Sequence, residues 1–239
     1  MIPAHNVFSV NTKLIMITAL LLGAQTVLSQ TTADLSGRWE SLSPDPDIPS
    51  TVIIDIAKDG SGSFHGTLSQ PAENINGLPL IDVQLDGRTV LIIAREDQPL
   101  RGQLSEDGQS IDGVMDTFNF QIPLLLTRTG PALIDPPVRN PMVNKKFEGR
   151  WNGNLGGSAL TLKISNNADS TSTAEIVNES QGGLRVPAAN VTADELHLVL
   201  ELKAVGGSFD GEINAEGTEI IGNYVQGNAK SPLTFRRMN

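Results

Sequence analysis

This sequence predicts an all-β chain of two tandem antiparallel meander β-barrels, about eight strands each, with a two-sheet β-sandwich as the alternative. Three observations carry that reading. The segment LSGRWESLS (35–43) returns as FEGRWNGNL (147–155), and these segments hold both tryptophans of the 239-residue chain. Apolar residues alternate with polar ones at a period of two, as in ALTLKIS (159–165) and ELHLVLEL (195–202), which places them on one face of a strand. Asp-Gly pairs at 59–60, 86–87 and 107–108 favour tight hairpins, because both residue types tolerate positive φ.

From the N-terminus, residues 1–29 read as a secretory signal peptide. Lys13 precedes the apolar run LIMITALLLGA, which is well short of the roughly twenty residues a membrane span needs. Val27 and Ser29 suit cleavage before Gln30. The expected destination is an exported compartment, periplasmic or extracellular, with no stable membrane insertion of the mature chain. The first repeat occupies 35–129. LRGQLSEDGQSIDGV (100–114) aligns with FDGEINAEGTEIIGN (209–223), so Gly102, Gly108 and Gly113 fall on Gly211, Gly217 and Gly222 at identical spacing. The repeats also close alike, PLLLTR (123–128) against PLTFRR (232–237). Between them, 130–146 carries four prolines and reads as an extended, semi-rigid linker. The second repeat occupies 147–239. Each repeat, at about ninety residues, is large enough to fold around its own core.

Composition narrows the function classes. A formal net charge of −10 disfavours nucleic acid and anionic membrane surfaces, which require clustered Lys and Arg. The absence of cysteine excludes disulfides and a thiol nucleophile.

Two resemblances follow from the motifs. A Gly-x-Trp on the first strand with an Arg ending the last resembles the closing signature of lipocalin-like (calycin) barrels. It implies that Arg128 packs across Trp39 and Arg237 across Trp151 as structural pairs. Gly149, Trp151, Gly153 and Leu155, with GTLSQP (66–71) and the closing P-L-x-x-x-R, resemble the small β domain N-terminal to some secreted bacterial α/β-hydrolases. Ser41 departs from that pattern in the first repeat, and AEIVNES (174–180) stands where the second repeat would carry GTLSQP. In that family the domain is an accessory to the hydrolase, which implies a binding role.

No catalytic set emerges from the sequence. GSGSF (60–64) and GGSFDG (206–211) do not form the G-x-S-x-G turn of a serine hydrolase. Asp116-Thr117-Phe118 lacks the glycine of an aspartic-protease loop. Asp45 and Asp47 lie in a proline-rich loop. Of the histidines, His5 falls in the signal, and His65 and His197 sit in different repeats, too few for a zinc site. His197 aligns with Leu91. DGSGS (59–63) has Phe64 where a calcium loop needs glycine. The expectation is therefore a non-catalytic binding or interaction protein without cofactor or metal, its partner a protein, a glycan or a small apolar ligand. The alternative is a lipocalin-like carrier, and an esterase ranks below both.

Overall fold

The computed structural model describes residues 33–41, 51–117, 119–136 and 139–238. The predicted signal segment with His5, the stretch with Asp45 and Asp47, and Phe118 lie outside the described residues. Ala33–Asn239 is one compact unit.

The first sheet contains β1 (Gly37–Glu40), β2 (Ile53–Lys58), β3 (Phe64–Gln70), β4 (Ile75–Pro79), β5 (Asp82–Asp86), β6 (Thr89–Ile93), β7 (Leu100–Leu104), β8 (Ser110–Asp116) and β9 (Gln121–Gly130). All its ladders are antiparallel between chain neighbours, except that β1 also pairs with β9 and thereby joins the two halves. A short strand, β10 (Asn140–Pro141), follows. The second sheet repeats the order with β11 (Gly149–Leu155), β12 (Ser158–Asn166), β13 (Thr171–Asn178), β14 (Leu184–Pro187), β15 (Asn190–Ala193), β16 (His197–Leu202), β17 (Gly207–Ile213), β18 (Glu219–Gln226) and β19 (Ala229–Arg237). The protein is thus all-β, with one sheet a nearly closed barrel and the other a half-barrel.

Closure is incomplete at a matching seam in each repeat. Leu80 N–H donates to Gly66 O on the β3 side, and the next residue, Ile81, donates to Ile93 O on the β6 side. Ala188 and Ala189 make the same crossing, to Ala174 O and Glu201 O. The chain crosses the seam covalently where a ladder would otherwise run. These bonds also set the repeat alignment: Glu201 matches Ile93, so His197 matches Thr89 rather than Leu91.

In the second barrel the linker enters this seam. Asn140 pairs with Ser172 of β13, and its Oδ1 accepts from Val191 N–H of β15 at 2.9 Å. Ser172 Oγ donates to Pro141 O at 2.7 Å. Pro141 is tolerated because a two-residue edge strand does not need its missing N–H.

The turns follow the sequence. Gly87 and Gly108 adopt φ of 58° and 68° at the β5–β6 and β7–β8 hairpins. Asp59 Oδ1 accepts from Ser61 N, Ser61 Oγ and Ser63 N. These bonds, the Ser61 hydroxyl foremost, hold its carboxyl below the usual carboxylate range. The repeat glycines have a second use. Gly102 faces Gly113 across β7–β8, and Gly211 faces Gly222 across β17–β18. A Cβ on Gly113 would stand 2.4 Å from Arg101 O, and one on Gly222 2.1 Å from Asp210 O, so these backbones pass too closely for any side chain.

The barrel interiors are lined by buried side chains. Trp39, Ile54, Ile56, Val90, Ile92, Leu104, Ile111 and Leu126 in the first barrel expose 2% or less. Trp151, Leu162, Ile164, Leu198, Leu200, Phe209, Ile220, Leu233 and Phe235 do so in the second. Side chains this inaccessible are packed against their neighbours.

Candidate functional site

The two Trp–Arg constellations are built identically. Trp39 Nε1 donates to Leu35 O at 2.8 Å and Trp151 Nε1 to Phe147 O at 2.9 Å. The Arg128 guanidinium lies 4.3 Å from the Trp39 ring centre, and that of Arg237 lies 4.0 Å from Trp151. Arg128 also donates to the carbonyls of Gly108, Ser36 and Asp34, and Arg237 to those of Gly217, Glu148 and Lys146. Each arginine, on β9 or β19, therefore ties the β7–β8 or β17–β18 turn to the segment entering the first strand of its repeat. Gly37 stands at φ 146° with the Arg128 Nη1 2.8 Å from where its Cβ would be, which explains the glycine of Gly-x-Trp. These bonds engage the Trp indole N–H and all three guanidinium nitrogens of each arginine inside the fold.

The sequence-derived candidates for chemistry remain apart. Ser61 and Ser63 sit in the β2–β3 turn, and Ser208 is inside β17; neither segment is a strand-to-helix elbow. Asp116 is engaged by Arg101 and by Gln121. His197 Nε2 lies 2.7 Å from Asp210 Oδ1; this hydrogen bond raises the imidazole above its ordinary value, opposed by partial desolvation and helped by the charges of Asp210, Asp194 and Glu212. It is a surface pair. Among the described residues no group of three His, Asp or Glu converges as a metal site.

A space large enough for a ligand lies between the barrels. A cleft of about 1020 Å³ has one wall on the outer face of β1, β2, β3 and β4, and the other at the seam of the second barrel. The linker passes between them through Leu133, Ile134, Asp135 and Asn140. The walls are held together by β4 packing on β14 and on the short 3-10 turn Lys203–Val205. Two further links are the bond from Glu96 N–H to Gly182 O at 3.1 Å and the Lys203–Asp135 ion pair at 3.1 Å.

Alternation along the strands selects what faces the cleft. Ile54, Ile56 and Leu68 point into the barrel, so Ile53, Asp55, Thr67 and Ser69 point out into the cleft. Asp55 exposes only 4%. Its Oδ2 accepts from Arg38 Nη1 at 2.9 Å and its Oδ1 from Leu133 N–H at 2.8 Å. This buried carboxylate pins the linker against the first barrel, and its charge is matched by Arg38. His65 also lines the cleft. Sequence reasoning weighed His65 as a lone residue and missed Arg38, Asp55 and Asn140. The one available signal was an aspartate at an outward position of the apolar strand IIDIAK.

No family model matches this sequence, and no curated protein matches it. Among solved structures it is similar to a protein of unknown function from the DUF3598 family, from Nostoc punctiforme PCC 73102. They share 12% identity over 85% of this chain and 96% of that one, at a TM-score of 0.21. It is also similar to a "putative outer membrane protein" from Bacteroides fragilis NCTC 9343, at 9% identity over 84% of this chain and 95% of that one, with a TM-score of 0.24. At such TM-scores neither likeness bears on function. Among the described residues no helix is long and apolar enough to cross a membrane.

Proposed function

We propose that this chain is an exported, non-catalytic binding protein whose site is the cleft between its barrels. The observation that carries the reading is the contrast between two packed barrel interiors and a cleft of about 1020 Å³ at their junction, at the upper end of the size range of small-molecule sites. The cleft mixes aliphatic walls with a few placed polar groups, as such sites do. The lipocalin-like alternative would seat the ligand inside a barrel, where side chains already occupy the space. The resemblance to a hydrolase-associated accessory domain supports binding without chemistry.

The test is native mass spectrometry of the mature protein after incubation with a metabolite and lipid extract of its source. We expect a discrete added mass that disappears in Thr67→Trp, which fills the cleft from its first-barrel wall while keeping a strand-compatible residue. An adduct retained at full occupancy by that variant would place the site elsewhere and defeat the proposal.

A further inference from the structure

We propose that Asn76–Gly77, on the cleft wall, is a self-modification site at which Asn76 is converted through a cyclic imide to aspartate and isoaspartate. The inference is independent of what the cleft binds. β4 is the end strand of the first sheet and is laddered to β3 alone. Its register slips opposite Ser69: Leu68 pairs with Leu78 and Gln70 with Ile75, so Asn76 and Gly77 together face one residue. That is a β-bulge, and Gly77 takes the positive φ, 71°, that glycine tolerates. The bulge gives Gly77 N–H a side-chain partner, and it donates to Ser69 Oγ at 2.9 Å. The same hydroxyl makes a long bond to Asn76 Oδ1 at 3.4 Å. Asn76 and Gly77 are both exposed.

One hydroxyl thus gathers the groups that must react. Ser69 Oγ accepts the Gly77 amide proton and relays it to solvent, while its own proton polarises the Asn76 carboxamide. Gly77 N attacks Asn76 Cγ and forms the new N–C bond of the imide, an intramolecular step favoured by proximity. The Cγ–Nδ2 bond breaks, and that nitrogen takes up a proton and leaves as ammonia. Water then opens the imide at either carbonyl, giving aspartate or isoaspartate. Either product sets a new carboxylate on the cleft wall. Isoaspartate also adds a methylene to the main chain of β4, the strand that packs on β14 and on the Lys203–Val205 turn. A second Asn-Gly pair, Asn152–Gly153, supplies the comparison. Both of its residues are laddered to β12, and Asn152 also to β19. A regular strand projects the Asn side chain perpendicular to the sheet, away from the following N–H, so this pair is held out of reach of cyclisation.

Peptide mapping by mass spectrometry of the folded mature protein, sampled over weeks at neutral and mildly alkaline pH, tests this. The signals are the imide, lighter by ammonia, and then the exchange of –NH₂ for –OH at residue 76. We expect Asn76 to convert about a hundredfold faster than Asn152, the cost of holding reacting atoms out of line. The rate should rise with pH, because the attacking amide nitrogen must lose its proton. Ser69→Thr and Ser69→Val are both strand-compatible and differ only in a hydroxyl against a methyl, so any loosening of the bulge is shared by the two. The threonine variant should convert Asn76 about five- to tenfold faster than the valine variant, the worth of one hydrogen bond. Asn76 converting no faster than Asn152, or equal rates in the two Ser69 variants, overturns the inference.

Discussion

Replacing Trp151 with alanine is expected to destabilise the second barrel by about 3–5 kcal/mol, the usual cost of truncating a large core side chain. Trp151 is wholly buried. Its loss also removes the surface beneath the Arg237 guanidinium, a contact worth about 0.5–2 kcal/mol, and the indole N–H bond to Phe147 O. Domain stabilities of about 5–15 kcal/mol leave such a variant marginal. The variant carries its own reporter, since Trp39 becomes the one remaining tryptophan and signals from the first barrel. In urea, far-UV circular dichroism should show an early transition from the second barrel, followed by a later one coincident with Trp39 fluorescence. A single coincident transition would mean that the barrels do not fold around separate cores.

Gly222→Ala is expected to cost about 3 kcal/mol, at the top of the range for overpacking. The added Cβ would sit 2.1 Å from Asp210 O and 2.5 Å from Gly211 Cα. Both are backbone atoms, so no rotamer change relieves the clash, and β17 and β18 must separate. Gly217→Ala provides the comparison. That glycine has φ 69° but nothing within 4 Å of its Cβ position, so it bears only left-handed strain, about 1–2 kcal/mol. Urea midpoints should fall in the order wild type, Gly217→Ala, Gly222→Ala. A Gly222→Ala midpoint equal to or above that of Gly217→Ala would contradict the close approach of these strands.

Much of this architecture can be read from the residues because it rests on local chemistry repeated twice. Asp86-Gly87 and Asp107-Gly108 mark hairpins through φ alone, and Leu160, Leu162 and Ile164 mark an inward face through alternation. The glycine spacing marked the repeat, although its reason, a cross-strand pair with no room for Cβ, appears only once β7 lies on β8. The seams were not legible, because sequence says which residues form strands but not whether the first and last ladders meet. The prolines of 130–146 predict an extended linker, and within it Asn140–Pro141 forms a short edge strand on β13. The cleft is the least legible feature of all. Arg38, Asp55, His65, Leu133, Asn140, Thr173 and Lys203 come from segments spread across both repeats, and the packing of β4 on β14 and on the Lys203–Val205 turn brings them together. No spacing rule links them.

The central claim is that the working site lies between the barrels and not within them. Hydrogen–deuterium exchange of the mature protein, with and without the molecule it captures from its source extract, tests this most directly. The account predicts added protection at the linker (133–140), on β3 and β4, and at the Ala188–Ala189 crossing, with β7–β8 and β17–β18 unchanged. Protection concentrated on the inward-facing strands of one barrel, with the linker and crossing unaffected, would contradict it.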